Sequence, residues 1–150
     1  METEFRTVII LMADDDEDDR LLTRDALNEG KVLNEFHSVE DGLELMSYLR
    51  KEAKYSDGKL YPLPSLILLD LNMPRMDGRE ALALIKADPA LRSIPVIILT
   101  TSKAEEDMLR GYELGAASYI TKPVTFEKLV ELMKSLGRYW IEFVELPNRR

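Results

Sequence analysis

Short apolar runs that alternate with amphipathic stretches constrain the fold of this chain more than any other feature. Residues 8–12, 66–69 and 96–99 are apolar throughout and shorter than ordinary helices. Such runs are typical of strands that are buried on both faces of a parallel sheet. The segments 35–39 and 116–121 are more polar, which is the composition expected of strands at the two edges of that sheet.

The stretches between these strands have helical periodicity. Apolar residues recur at helical spacing in residues 17–29, 42–54, 78–87 and 103–113, and from Leu129 towards the end of the chain. Four stretches begin with an Asp or Ser that is followed three residues later by Glu: Asp14, Asp41, Asp77 and Ser102. This is the pattern of a helix capping box. Strand and helix alternate five times, which predicts an α/β domain with helices on both faces of a mostly parallel sheet.

Length and composition limit the class of protein. A chain of 150 residues suits one domain, 1–150, with a full core. The net charge of -8 argues against nonspecific binding to nucleic acid or to an anionic membrane. No apolar run approaches the ~20 residues of a membrane span, and the absence of cysteine fits a cytoplasmic protein. Residues 54–65 contain Gly, Pro and Ser and are predicted to form a loop.

Polar side chains stand at the carboxyl ends of four predicted strands. They are Asp14, Asp15 and Asp16 after the first strand, Asp70 after the third, Thr100 and Thr101 after the fourth, and Thr121 and Lys122 after the fifth. These strand ends share one edge of a parallel sheet, where α/β proteins bind ligands. A single Asp at such a position is more often a helix cap or a solvated turn. Carboxylate, hydroxyl or ammonium groups at four separate strand ends together favour a functional site.

The groups at this edge are suited to phosphoryl transfer. Carboxylates gathered at short range repel one another, and a hard divalent cation with oxygen ligands, best matched by Mg²⁺, neutralises them. Lysine supplies a point charge for phosphate, and threonine supplies a hydroxyl donor. A carboxylate beside a metal, a hydroxyl and an ammonium group can therefore act as a nucleophile towards phosphorus.

This set of residues resembles the receiver domain of two-component response regulators. The resemblance rests on Asp14-Asp15, Asp70-x-Asn72-Met73-Pro74-x-Met76-Asp77-Gly78, Thr100 and Lys122-Pro123. It covers a core of about residues 6–137, with a C-terminal extension at 138–150. It implies a flavodoxin-like (βα)5 fold, a doubly wound sheet of five parallel strands in the order 2-1-3-4-5, with an extended C-terminal helix and tail. This strand order is taken from the family.

The resemblance implies a role for each matching residue. Asp70 would be the phosphoacceptor, whose carboxylate attacks the phosphorus of a phosphohistidine on a histidine kinase. Asp15 would bind Mg²⁺ directly and Asp14 mainly through water. The backbone carbonyl of Asn72 and the Asp70 carboxylate would complete the protein ligands. A receiver of this kind takes part in its own phosphorylation and slow dephosphorylation but is not an enzyme.

Three further residues would respond to the phosphoryl group. Thr100 would turn its hydroxyl towards that group, and Lys122 would pair with Asp70 and then with the phosphate. Tyr119 would change rotamer with the switch, although a tyrosine seen alone there is almost equally a half-buried aromatic of an edge strand. The Lys122–Pro123 bond is expected to be cis, as is usual in the family. The signal would leave through protein contacts on the fourth helix, fifth strand and fifth helix.

The chain also resembles a smaller subgroup within this family. The segment 54–65 and the tail at 138–147 resemble the stand-alone response regulators of cyanobacterial-type phytochromes, which implies a phytochrome kinase as partner and a homodimer built with the tail. Four apolar residues continue the helical pattern past the domain body: Tyr139, Trp140, Phe143 and Val144. An exposed apolar patch usually finds a partner, but the tail could instead fold back onto its own domain.

Three other functions compete with this one. A phosphatase with an Asp nucleophile uses similar groups but needs a second Asp two residues later as general acid, where this chain has Asn72. A receiver-like module that is never phosphorylated usually lacks a key group, whereas this chain keeps all of them. Flavodoxin-type cofactor binding is disfavoured because no hydroxyl- and glycine-rich loop follows the first strand.

Two further polar residues receive no functional assignment from the sequence. Arg20 is predicted to be a solvated charge on the first helix. His37, the one histidine of the chain, is predicted to be a surface side chain on the second strand.

Overall fold

The computed structural model describes residues 7–31, 34–100, 103–110, 115–122 and 125–139. Its helices and strands are β1 (Val8–Ala13), α1 (Glu17–Glu29), β2 (Asn34–Val39), α2 (Gly42–Leu49), β3 (Leu66–Asp70), α3 (Gly78–Ala87), β4 (Val96–Thr100), α4 (Lys103–Arg110), β5 (Ser118–Thr121) and α5 (Phe126–Tyr139). A 3-10 helix at Ala53–Ser56 lies between α2 and β3. The predicted fivefold alternation of strand and helix is confirmed.

The five strands form one parallel sheet in the order β2-β1-β3-β4-β5. The doubly wound, flavodoxin-like fold with strand order 2-1-3-4-5 is therefore confirmed. The strands β3 and β4 are buried along their whole length, whereas β2 and β5 at the edges are mostly half-buried. Burial on both faces explains why the central strands are continuous apolar runs and the edge strands are more polar.

Alternate residues of the central strands enter two cores, one on each face of the sheet. In β1, Leu11 and Ala13 face the core that α2 and α3 cover, while Ile10 and Met12 face the core that α1 and α5 cover. Because both faces are covered, a charged side chain is accommodated most easily at a strand end.

Side-chain caps fix the first turns of two helices as the sequence predicts. Asp77 and Glu80 form a full capping box at the start of α3. At α2, the carboxylate of Asp41 accepts a hydrogen bond from the backbone N–H of Glu44. The cap predicted at Ser102 lies outside the described residues.

The predicted cap of α1 is wrong. The capping residue is Asp16, whose carboxylate accepts from the backbone N–H groups of Asp18 and Asp19. Asp14 is fully buried directly after β1, and its carboxylate instead accepts from the N–H of Asp16 and from Lys122. The physical reason is that Asp14 still follows the line of the strand, before the chain turns into the helix.

Helix α2 is shorter than the predicted range of 42–54. It ends at Leu49, and Lys51 has a φ of 60°, a left-handed value through which an α-helix cannot continue. Part of the segment predicted as a loop forms the 3-10 helix instead.

Three tyrosines pack together between α2 and the segment that follows it. The rings of Tyr48, Tyr55 and Tyr61 lie 4.9 to 5.8 Å apart, and His37 on β2 lies beside Tyr48 and Tyr61. We call these four residues the tyrosine cluster. His37 is therefore half-buried, which corrects its prediction as a surface side chain.

The C-terminal part is described as far as Tyr139, the end of α5. The fourth helix is seen at Lys103–Arg110 within the predicted range of 103–113, and the fifth strand is two residues shorter than predicted at its start. The predicted tail and the predicted cis Lys122–Pro123 bond involve residues outside the described ranges. Within those ranges, none of the helices has the length and apolarity to cross a membrane.

Candidate functional site

The carboxyl edge of the sheet gathers the predicted site residues. Asp14 follows β1, Asp70 ends β3, Thr100 ends β4, and Lys122 follows β5. The first three are buried, and Lys122 is partly buried. The parallel arrangement thus brings together groups that are up to 108 residues apart in the chain.

Asp14, Asp15 and Asp70 form an acidic cluster, in which one carboxylate oxygen of each lies within 4.8 Å of the others. Asp15 is exposed, so solvent and ions reach the cluster from its side. An all-oxygen set of carboxylates suits a hard divalent cation such as Mg²⁺, which takes one or two carboxylates and keeps several waters. The predicted divalent-metal site is confirmed as an acidic cluster. The ligand role of each single residue stays a prediction.

Burial raises the pKa of Asp70 from its ordinary value of 3.8 to about 6. The backbone N–H of Asn72 donates to Asp70 Oδ1 over 3.1 Å and, together with the charge of Lys122, acts in the opposite direction. The neighbouring Asp14 adds to the increase. Desolvation is the largest effect because Asp70 is only 4% exposed. A cation bound at the cluster would favour the charged carboxylate.

Lys122 supplies positive charge to the acidic cluster. Its Nζ lies 2.8 Å from Asp14 Oδ2, 2.7 Å from Asp19 Oδ2 and 3.5 Å from Asp70 Oδ2. Burial alone would lower the pKa of Lys122, but hydrogen bonds to Asp14 and Asp19 raise it above its usual range. The partner predicted for Lys122, Asp70, is thus the most distant of the three carboxylates.

Two residues of α1, Asp19 and Arg20, belong to the site although neither was predicted there from the sequence. Asp19 lies in the first turn of α1, where acidic residues ordinarily complement the helix dipole. Arg20 is not a solvated charge as predicted, since its side chain is 14% exposed and donates to the backbone carbonyl of Asp14 over 2.7 Å. The available signal was that α1 starts directly after the acidic run and so has its first turn beside the cluster.

The loop between β3 and α3 is tied to the start of α2. The N–H of Gly42 donates to the carbonyl of Met76 over 3.0 Å. Arg75 has a left-handed φ of 67° and pairs with the buried carboxylate of Asp41. Residues with sparsely populated backbone angles are found most often near functional sites. These contacts hold the loop that carries Asn72, whose backbone carbonyl is a predicted metal ligand.

Thr100 takes part in hydrogen bonds that lead away from the site towards α4. Its hydroxyl lies 3.3 Å from Thr121 Oγ1 and 3.4 Å from the carbonyl of Ile120. Thr121 Oγ1 in turn donates to Glu106 Oε1 of α4 over 2.7 Å, and Glu106 is 6% exposed. The hydroxyl of Thr100 is therefore in contact with β5.

Tyr119 is half-buried on β5 and packs against the core that α2 and α3 cover. This position is compatible with both interpretations of Tyr119, the switch residue and the edge-strand aromatic.

The arrangement places the buried carboxylate of Asp70 within the acidic cluster and beside the ammonium group of Lys122. These are the groups that stabilise the charge of a transferring phosphoryl group. The position two residues after Asp70 is occupied by the exposed Asn72, which cannot act as the general acid of a hydrolase.

The chain is similar to known proteins along most of its length. The family model described as "Response regulator receiver domain" matches residues 10–134. The protein "Response regulator Rcp1" of Synechocystis sp. is 39% identical over 139 residues, which cover 93% of this chain and 92% of that protein.

Solved structures show the same similarity. The phosphorylated cyanobacterial phytochrome response regulator RcpA has a TM-score of 0.78 and 40% identity, over 91% of this chain and 96% of that one. The Mn²⁺-bound form of the response regulator Rcp1 has a TM-score of 0.75 and 38% identity, also over 91% and 96%.

Proposed function

Because the chain belongs to the response regulator receiver domain family, we propose that it accepts a phosphoryl group on Asp70 from a histidine kinase, in a reaction that requires Mg²⁺. The observation that carries this proposal is the position of Asp70. It is a buried carboxylate at a strand end, within a cluster of three acids and 3.5 Å from the ammonium group of Lys122.

The proposed ligands of the cation are Asp14, Asp15, Asp70 and the backbone carbonyl of Asn72. When bound, Mg²⁺ stabilises the negative charge that the phosphoryl oxygens carry during transfer. Lys122 supplies a second positive charge, and Thr100 donates its hydroxyl to the phosphoryl group.

The transfer replaces one bond of phosphorus by another. An oxygen of the Asp70 carboxylate forms the new O–P bond while the P–N bond of the phosphohistidine breaks. The electron pair of the broken bond stays on the imidazole nitrogen, and the imidazole takes up a proton. Asp70 loses no proton, because it reacts as the carboxylate.

The product is proposed to persist rather than turn over. Asn72 cannot deliver a proton to a leaving group or activate water as an aspartate could. The chain is therefore a phosphoacceptor that carries a signal and loses its phosphoryl group slowly, and we do not assign it a separate enzymatic activity.

The proposed kinase partner is a phytochrome. This proposal is supported by the similarity to RcpA, which is described as a cyanobacterial phytochrome response regulator. We place the chain in the cytoplasm with that kinase, and its net charge of -8 makes nucleic acid or a membrane surface a poor partner.

The output is proposed to be a change in protein contacts. Movement of Thr100 and Tyr119 after phosphorylation would alter the surface of α4, β5 and α5. Residues 6–137 would form the single receiver core, and the extension at 138–150 would join this surface in a homodimer.

Intact mass spectrometry tests the proposal directly. The chain is incubated with Mg²⁺ and a small phosphodonor such as phosphoramidate. We expect one added phosphoryl group on the unmodified chain and on the Asp18→Asn control, and none on Asp70→Asn or after chelation of Mg²⁺. Phosphoryl transfer to a different residue would contradict the assignment.

A further inference from the structure

We propose that Asp19 is a positioning residue for phosphoryl transfer, because it holds the ammonium group of Lys122 at a distance from Asp70 that leaves room for phosphorus. The inference rests on the proposed function of Asp70. Asp19 is neither one of the three acids of the metal cluster nor the proposed nucleophile.

The geometry around Lys122 Nζ supports this task. An ammonium group has three N–H donors, and Lys122 has three carboxylates around it. It donates to Asp19 over 2.7 Å and to Asp14 over 2.8 Å, but lies 3.5 Å from Asp70. Two donors are thus occupied by short, charge-assisted bonds. The third remains for an oxygen of the group that becomes attached to Asp70.

Asp19 differs from Asp14 in its relation to the metal site. The oxygens that approach one another within 4.8 Å belong to Asp14, Asp15 and Asp70, and those of Asp19 are not among them. A cation bound at the cluster would share the carboxylate of Asp14 with Lys122. Asp19 is therefore the short contact of Lys122 that does not depend on the metal.

The surroundings of the Asp19–Lys122 pair strengthen it. Both residues line a cavity of about 490 Å³, whose walls also include Met12, Leu68, Leu99 and Met133. The side chain of Lys122 is 21% exposed and that of Asp19 is 35% exposed. Apolar walls and partial burial reduce screening by water, so this pair fixes the position of Lys122 better than an exposed ion pair would.

The test compares Asp19→Asn with two matched variants. Asp18→Asn removes the same charge from the adjacent, exposed position of the same helical turn. Asp19→Glu restores the carboxylate on a longer side chain. The rate of phosphorylation by phosphoramidate is measured against donor concentration, and Mg²⁺ binding is measured by calorimetry. In the metal-free protein, the side-chain ammonium signal of Lys122 is followed by NMR and is identified by its loss in Lys122→Arg.

For Asp19→Asn we expect the maximal phosphorylation rate to fall by about fivefold or more, as for the loss of a charge-assisted hydrogen bond. The Mg²⁺ dissociation constant should stay within about twofold of that of Asp18→Asn, since both lose one charge near the site. The ammonium signal of Lys122 should be broadened by faster exchange in Asp19→Asn only, and Asp19→Glu should recover most of the rate.

Two results would overturn the inference, and they are distinguishable. If the unmodified chain is phosphorylated but Asp19→Asn behaves like Asp18→Asn in rate and in the ammonium signal, Asp19 has no positioning role. If the unmodified chain takes up no phosphoryl group on Asp70, the proposed function fails, and the inference fails with it.

Discussion

At the scale of single residues, the buried charge of Asp70 destabilises the metal-free protein. Its pKa is about 6 in the folded chain and 3.8 as an ordinary value. Between these two pH values the folded state binds more protons than the unfolded state. The free energy of unfolding therefore falls as pH rises through this window, and the loss is complete above about pH 6.

Replacing Asp70 by Asn should therefore stabilise the metal-free protein at neutral pH. We expect Asp70→Asn to raise the free energy of unfolding by about 2–3 kcal/mol at pH 7, from a shift of roughly two pKa units. The gain should vanish below about pH 3, where Asp70 is protonated in both states. Urea denaturation in the presence of a chelator measures both values.

Magnesium gives the control for this prediction. Added Mg²⁺ should stabilise the unmodified chain and should have much less effect on Asp70→Asn, which lacks one carboxylate of the cluster. Equal stability of the two chains at pH 7 without metal would contradict the cost assigned to the buried charge.

The sequence allowed most, but not all, of the site to be predicted at this scale. Asp14, Asp70 and Lys122 could be placed together because each directly follows a strand, and parallel strands end at one edge. Asp19 could not, because it lies in the first turn of α1 rather than at a strand end, and its contact with Lys122 depends on the angle at which α1 leaves the sheet. No local pattern encodes that angle.

At the scale of elements, the start of α2 supports the loop after β3. A Cβ at Gly42 would stand 2.3 Å from the carbonyl oxygen of Met76, which is backbone and cannot rotate away. The glycine is therefore required by close approach of two chain segments. Its position links the second βα unit to the loop that carries Asn72.

Gly42→Ala should disturb this support. We expect a loss of about 1–3 kcal/mol in the free energy of unfolding, as for other overpacked sites, together with weaker Mg²⁺ binding. Gly58→Ala is the matched control, because a Cβ there meets only Lys51 Nζ at 3.8 Å. Denaturant titration and calorimetry measure the two effects, and identical behaviour of the two alanine variants would refute the role of Gly42.

The hydrogen bonds from Thr100 to α4 can be tested at Thr121. Thr121→Val keeps the shape of the side chain but removes the hydroxyl that donates to the buried carboxylate of Glu106. We expect a loss of about 1–3 kcal/mol in stability. Ser118→Ala, at an exposed position of the same strand, should change stability by less than about 0.5 kcal/mol. A loss no larger than that of Ser118→Ala would argue against this link.

Element boundaries were predictable where a local signal sets them. The capping box of Asp77 and Glu80 marks the start of α3 correctly. The end of α2 was missed because the helical pattern of the sequence continues past Lys51. A lysine does not by itself predict the left-handed φ that this residue adopts. Packing of Tyr55 and Tyr61 against Tyr48 overrides that local preference.

At the scale of the whole molecule, the apolar runs of the sequence predict a sheet that is covered on both faces, but they do not predict its strand order. Runs such as 66–69 and 96–99 require cover on both faces, which fixed the fold class from the sequence alone. Periodicity does not say which strands are neighbours, so the order came from the family resemblance.

The proposed homodimer belongs to this scale. We expect multi-angle light scattering to give the mass of a dimer for the full chain and of a monomer for a chain that ends at Gly137. The physical reason is the apolar pattern that continues through Trp140 and Phe143. An unchanged mass in the shortened chain would remove the extension from the interface.

The tyrosine cluster has a consequence for the response of the protein to alkali. Burial, reinforced by nearby Glu35 and Glu44, raises the pKa of Tyr48 and Tyr55 above the usual range. Above about pH 10 the unfolded chain releases these phenolic protons while the folded chain keeps them, so stability falls with each further increase in pH. The phenolate absorbance of Tyr48 and Tyr55, measured as the signal lost in Tyr48→Phe and Tyr55→Phe, should then appear together with the loss of helical circular dichroism. This base-induced transition would report directly on the packing between α2 and the segment that follows it.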